Sequence, residues 1–225
     1  MARLPTLLAA LLAASAATGQ DAPRNLIELR FLASHHSITS AGDLQLRADK
    51  WQSKPFTVPS NHLSDPLAVP ARTLALTTPG DDPAKVQQLC QIKLPEPGKR
   101  FVAVLVPKAQ QLVPHVLRVD DNSFRAGDVF LHNATATQVG GKLGTTDFSL
   151  NPGAGRICRP NHPADARFFE VALFHLQNGA TRPLSTTRWP VDNNARGYVL
   201  FFTDPKSGRI EYRAVDEWVP PAAKP

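Results

Sequence analysis

The chain has 225 residues, with 25 Lys and Arg against 19 Asp and Glu, 21 prolines, two cysteines and a single methionine. The proline content excludes a helical bundle, because each Pro removes a backbone donor and clashes with the preceding turn. The basic residues are scattered with no run of five or more, so the excess positive charge forms no nucleic-acid patch or basic tail.

The first residues bear on the compartment. Arg3 is the only charge before Asp21, and an apolar run from Leu7 to Ala14 lies between them. That length suits a secretory signal and is too short to cross a bilayer as a helix. Ala14-Ser15-Ala16 and Ala17-Thr18-Gly19 both fit the small-x-small cleavage pattern. The expectation is a signal peptide over residues 1–19 and a periplasmic or secreted mature protein. No later stretch is long and apolar enough to span a membrane.

Beyond residue 20 the sequence predicts an all-β fold. Short apolar runs alternate with Pro, Gly, Asn and Asp clusters at the spacing of sandwiches and barrels. Strands are predicted at Leu26–Leu32, Leu44–Ala48, Pro55–Val58, Thr73–Thr77, Val86–Leu94, Arg100–Val106 and His115–Val119. After a turn at Asp120–Asn122 come Asp128–Asn133, Gln138–Leu143, Asp147–Leu150, Gly155–Arg159, Arg167–Gln177, Leu184–Arg188, Gly197–Thr203 and Arg209–Val215. In Val86–Leu94, Cys90, Ile92 and Leu94 share one face. Asp82 followed by Pro83 is the one helix-start signal, for a single turn through Ala84–Gln88. Asp204 to Gly208 reads as a hairpin turn.

Parts of the chain resemble each other. Ala41-Gly42-Asp43-Leu44 recurs as Ala126-Gly127-Asp128-Val129, and Arg100–Lys108 recurs with an insertion as Arg196–Lys206, each reading Arg, aromatic, apolar strand, Pro-Lys. The expected organisation is two tandem Ig-like β-sandwich repeats, over residues 22–112 and 113–219. The signal peptide, the paired Ala-Gly-Asp turns and Ser185-Thr186-Thr187-Arg188-Trp189-Pro190 together give a pattern that resembles uncharacterised secreted bacterial proteins of tandem β-sandwich architecture. The resemblance covers most of the mature chain and implies no catalytic residue.

Candidate chemistry is sparse. Cys90 and Cys158 could bridge in an oxidising compartment, worth about 4 kcal/mol by loop closure; two separate buried thiols are the alternative. Cys158 and His162 have a Cys-x-x-x-His spacing, with His132 upstream, but the axial Met of a blue-copper site is missing. His35 and His36 form a loop pair that needs a third ligand to hold zinc or copper. His35, His36 and His162 are therefore weak metal candidates, and no cofactor is implied. No Gly-x-Ser-x-Gly elbow marks a nucleophile. Acids such as Asp120, Asp121, Asp216 and Glu217 read as turn and edge residues. Asn133-Ala134-Thr135 is a formal glycosylation sequon. Arg188 and Trp189 are the best binding candidates, because an Arg can stack on an indole and Trp grips carbohydrate or protein; packing at a strand end is the plain alternative for Trp189.

These readings favour a non-enzymatic binding or scaffold protein of the cell envelope, with an envelope protein or glycan as partner and no nucleic acid. An envelope-polymer hydrolase with a site assembled from distant loops is the second class. A periplasmic metal-binding protein is the third.

Overall fold

The computed structural model of the chain describes residues 26–220, apart from 81, 83, 109, 110, 178 and 205. The signal peptide expected over residues 1–19 lies outside the described residues.

The fold is all-β. Among the described residues there are sixteen strands and one short helix: β1 (Ile27–Ala33), α1 (His36–Ser40), β2 (Gln45–Ala48), β3 (Trp51–Gln52), β4 (Leu67–Val69), β5 (Thr73–Thr77), β6 (Gln88–Lys93), β7 (Arg100–Lys108), β8 (Gln111–Arg118), β9 (Val129–Asn133), β10 (Val139–Leu143), β11 (Thr146–Leu150), β12 (Gly155–Cys158), β13 (Phe168–Gln177), β14 (Ala180–Pro190), β15 (Ala195–Thr203) and β16 (Ile210–Trp218). No helix among them is long and apolar enough to cross a membrane.

The strands form four sheets of four, in the orders β4-β1-β7-β8, β3-β2-β5-β6, β12-β9-β15-β16 and β11-β10-β13-β14. Adding eight to each strand number of the first two sheets gives the last two, so residues 27–118 and 129–218 have the same connectivity. In each half one sheet contains a central parallel pair, β1 with β7 and β9 with β15.

The burial pattern explains why those sheets lie inside. Along β7, Phe101, Ala103 and Leu105 enter one core, while Val102, Val104 and Val106 enter another. A strand buried on both faces reads as an unbroken apolar run, as Phe101–Val106 does. The counterpart strand β15 does the same: Val199 and Phe201 face one core, Tyr198 and Leu200 the other. The four sheets therefore stack as layers. Each half has a core of its own between its two sheets. The sheets carrying β7 and β15 meet face to face around Leu32, Val104, Phe130, Tyr198 and Leu200.

The connection between the halves is pinned by a buried ion pair. Arg196 binds Glu217 through Nε and Nη2 at 2.9 and 3.0 Å, and its Nη1 donates to the Val119 and Phe124 carbonyls. The Tyr198 hydroxyl donates to the same glutamate at 2.7 Å. Four guanidinium N–H groups and both carboxylate oxygens are thus engaged, which offsets the burial of the pair.

Several expectations are corrected. Residues Pro55–Val58 form no strand; only Phe56 bridges to Leu44, because Pro55 and Pro59 interrupt the ladder. The Asp82 signal makes a turn, with the Ala84 amide donating to its carboxylate. The Ala-Gly-Asp pair does not mark equivalent places: the first copy leads into β2 and the second into β9, whose counterpart is β1. Arg100–Lys108 and Arg196–Thr203, by contrast, hold matching positions in β7 and β15. The boundary expected between residues 112 and 113 falls inside β8, which pairs with β7. Cys90 and Cys158 are free thiols. Cys90 packs on the core of the first half and Cys158 in that of the second, with two sheets between them. Stacked sheets lie roughly 10 Å apart, beyond the reach of a disulfide.

Candidate functional site

One end of the second sandwich is not filled. On β15 and β16, the inward positions nearest that end are Ala195, Gly197 and Ala214, with Asp216 directly across from Gly197. Val129 of β9 lies beside Gly197 in the parallel register. These short side chains leave a floor without bulk. The opposing sheet supplies Phe169 and Trp189, which face each other across β13 and β14, rings edge to face at 6.2 Å. Between floor and roof is a cavity of about 390 Å³. That volume is in the range of small-molecule sites.

Loops complete the wall. His162 stacks on Phe169 with centroids 5.8 Å apart, and its Nδ1 donates to the Pro163 carbonyl at 2.9 Å. Asp128 is buried and accepts from Arg159 Nε at 2.7 Å and from the Arg125 amide at 2.9 Å. Arg159 also donates to the Ala126 carbonyl at 2.7 Å. Gly127, at φ +83°, makes this turn possible, in a backbone region that side chains disfavour. Asp192 accepts the Asn194 amide at 2.7 Å and lines the rim. Asp216 has no hydrogen-bond or ion-pair partner among the described residues. Desolvation by its surroundings, and then the nearby Asp192 charge, push its carboxyl above the usual range. Trp218, two positions along the same face of β16, is exposed beside this end.

The expected binding pair is split. Trp189 lines the cavity, but Arg188 does not. Successive strand residues point to opposite faces, so Arg188 lies on the outside, 3.5 Å from Glu170. The guanidinium in the cavity wall is that of Arg159.

The metal candidates do not converge. His35 is buried where the halves meet, its ring tilted against His36 at 4.1 Å and edge-on to Phe202 at 5.2 Å. Its Nδ1 caps α1 by accepting the Ser37 amide. His162 sits in the cavity wall of the second half. Among the described residues, no three His, Cys, Asp or Glu side chains are grouped to hold a metal ion. The sequon also proves internal: Asn133 is buried, donating to the Thr137 and Leu150 carbonyls and accepting from Thr135.

Sequence reasoning missed Phe169, Arg159 and Asp192, and read Asp216 as an edge acid. The available signal was the small-residue alternation Ala195-x-Gly197 beside a Trp-Pro strand end, which leaves room under an indole. A second hollow of about 750 Å³ lies where residues 56–67 approach Arg213. Its walls mix hydroxyl, amide and charged side chains with Phe56, Pro59 and Leu67, and it offers less apolar surface to drive binding.

No protein-family model matches the chain, and no curated protein matches it.

Proposed function

We propose that this is an exported, non-enzymatic binding or scaffold protein of the bacterial cell envelope, built of two tandem sandwich repeats, and that the cavity under Trp189 is its ligand site. The repeats are Ig-like in layering, though the parallel pairs depart from the all-antiparallel sheets of that fold. Export rests on the Leu/Ala-rich leader. The carrying observation for binding is the unfilled sandwich end: a packed core leaves few voids larger than a water molecule, whereas here two aromatic rings roof a hollow edged by carboxylates. Aromatic faces with a few placed polar groups suit a glycan. Fold alone would not license this reading; the site carries it.

The test is co-sedimentation of the mature protein with insoluble envelope glycan. Retention of the wild type and its loss in Trp189→Ala support the proposal. Equal retention of both, or of neither, counts against it, as does native protein whose N-terminus is Met1.

A second reading follows from Asp192 and Asp216. Two carboxyl groups whose environments differ can divide acid and base roles on a glycosidic bond. The same samples decide it: soluble sugar released by the wild type and abolished in Asp216→Asn would make the protein a hydrolase.

A further inference from the structure

Resting on the reading that the cavity is a ligand site, we infer that its ligand is an amino sugar carrying a free ammonium group, alone or at the end of a glycan chain. Three carboxylates, of Asp128, Asp192 and Asp216, line the cavity against one guanidinium. Arg159 is not available to balance the other two. It already engages Asp128 at 2.7 Å and the Ala126 carbonyl at 2.7 Å. The wall is thus negative in a chain whose overall charge is +6, and it includes the side chains of Phe169, Trp189 and His162.

These features select together. A neutral sugar would leave the exposed Asp192 and Asp216 carboxylates with no counter-charge, where an ammonium group gains charge-assisted hydrogen bonds. An anion would be repelled. Aromatic faces attract a cation through the ring quadrupole and give the flat surface of a sugar ring a place to lie. Gly197 lies across from Asp216, so no side chain stands between the carboxylate and the floor. The cavity's volume, about 390 Å³, is enough to take a sugar ring. Trp218 on the same strand face extends the aromatic surface outward, where the next residue of a chain would lie.

The experiment is isothermal titration, at mildly acidic pH, with a β-1,4-linked glucosamine tetramer, its fully N-acetylated counterpart and the diamine cadaverine. The inference expects the ammonium form to bind roughly tenfold or more tightly than the acetylated one, as loss of a charge-assisted contact predicts. It expects Asp216→Asn and Asp192→Asn each to erase most of that difference. Asp216 has no partner to lose and its ionised form is disfavoured in the fold, so Asp216→Asn should not lower the melting temperature. Equal binding of both tetramers, with loss in Trp189→Ala, overturns the amine inference and leaves the ligand site standing. Cadaverine binding as tightly as the glucosamine tetramer overturns the sugar. No binding by any probe, with wild type and Trp189→Ala alike, overturns both this inference and the reading it rests on.

Discussion

Lowering the pH should loosen the seam between the halves, and His132 should account for much of the effect. His132 is 1% exposed and lies against His115 of β8, ring centroids 4.0 Å apart. Its Nδ1 is buried without a partner. Burial, and then the neighbouring His115, hold it down to about 4, against 6.5 for an ordinary imidazole. The folded chain therefore binds fewer protons than the unfolded one between those values, and stability falls as the pH drops through that window. Full protonation of the unfolded state costs about 3 kcal/mol by this linkage, a large part of a typical folding free energy. His115 and His35 are also held low by burial and act in the same direction. Asp216, held high, acts in the opposite one. Asp121 and Asp204, held low by hydrogen bonds from Ser123 and Ser207, lose their contribution only in stronger acid. Urea unfolding of wild type and His132→Phe at a series of pH values isolates the residue, because any packing change in the variant shifts its whole curve equally. Wild type should lose about 3 kcal/mol more than the variant between neutrality and pH ~4. Parallel curves would refute the reasoning.

Two other perturbations follow from the packing. Arg196→Ala leaves Glu217 buried without its partner and unpins the connection at Val119 and Phe124. The expected loss is about 3–5 kcal/mol in chemical unfolding. A methyl at Gly141 would overlap the Ala172 carbonyl and come within 3.0 Å of Phe148. Gly141→Ala should therefore cost about 1–3 kcal/mol, read as a fall in melting temperature of several degrees.

The strands were legible where apolar residues alternate or run between breakers. Thr73–Thr77 and Val129–Asn133 show it, and the unbroken run in β7 marks a strand buried on both faces. Trp51–Gln52 was too short to carry a pattern. Leu67–Val69 is masked by Pro66 and Pro70 on either side. Helix α1 is capped by His35, which is not among the usual N-cap residues. The Ala-Gly-Asp match misled because a turn of that composition serves any strand entry, whereas the apolar pattern of β7 and β15 reflects their place in the stack. At the site, Trp189 stood out by type. Asp216 did not, since its meaning depends on Gly197 across the sheet and Asp192 on another loop. Arg188 stood out beside Trp189 yet lies on the opposite face, because adjacency in a strand separates two side chains rather than joining them.

If the cavity is the binding site, ligand enters beneath Trp189. The three tryptophans should give separate indole N–H resonances, and Trp51 lies in the other half. Titration with soluble envelope-glycan fragments should shift the Trp189 signal saturably and leave that of Trp51 in place. An unmoved Trp189 signal, with or without movement of Trp51, would contradict the claim.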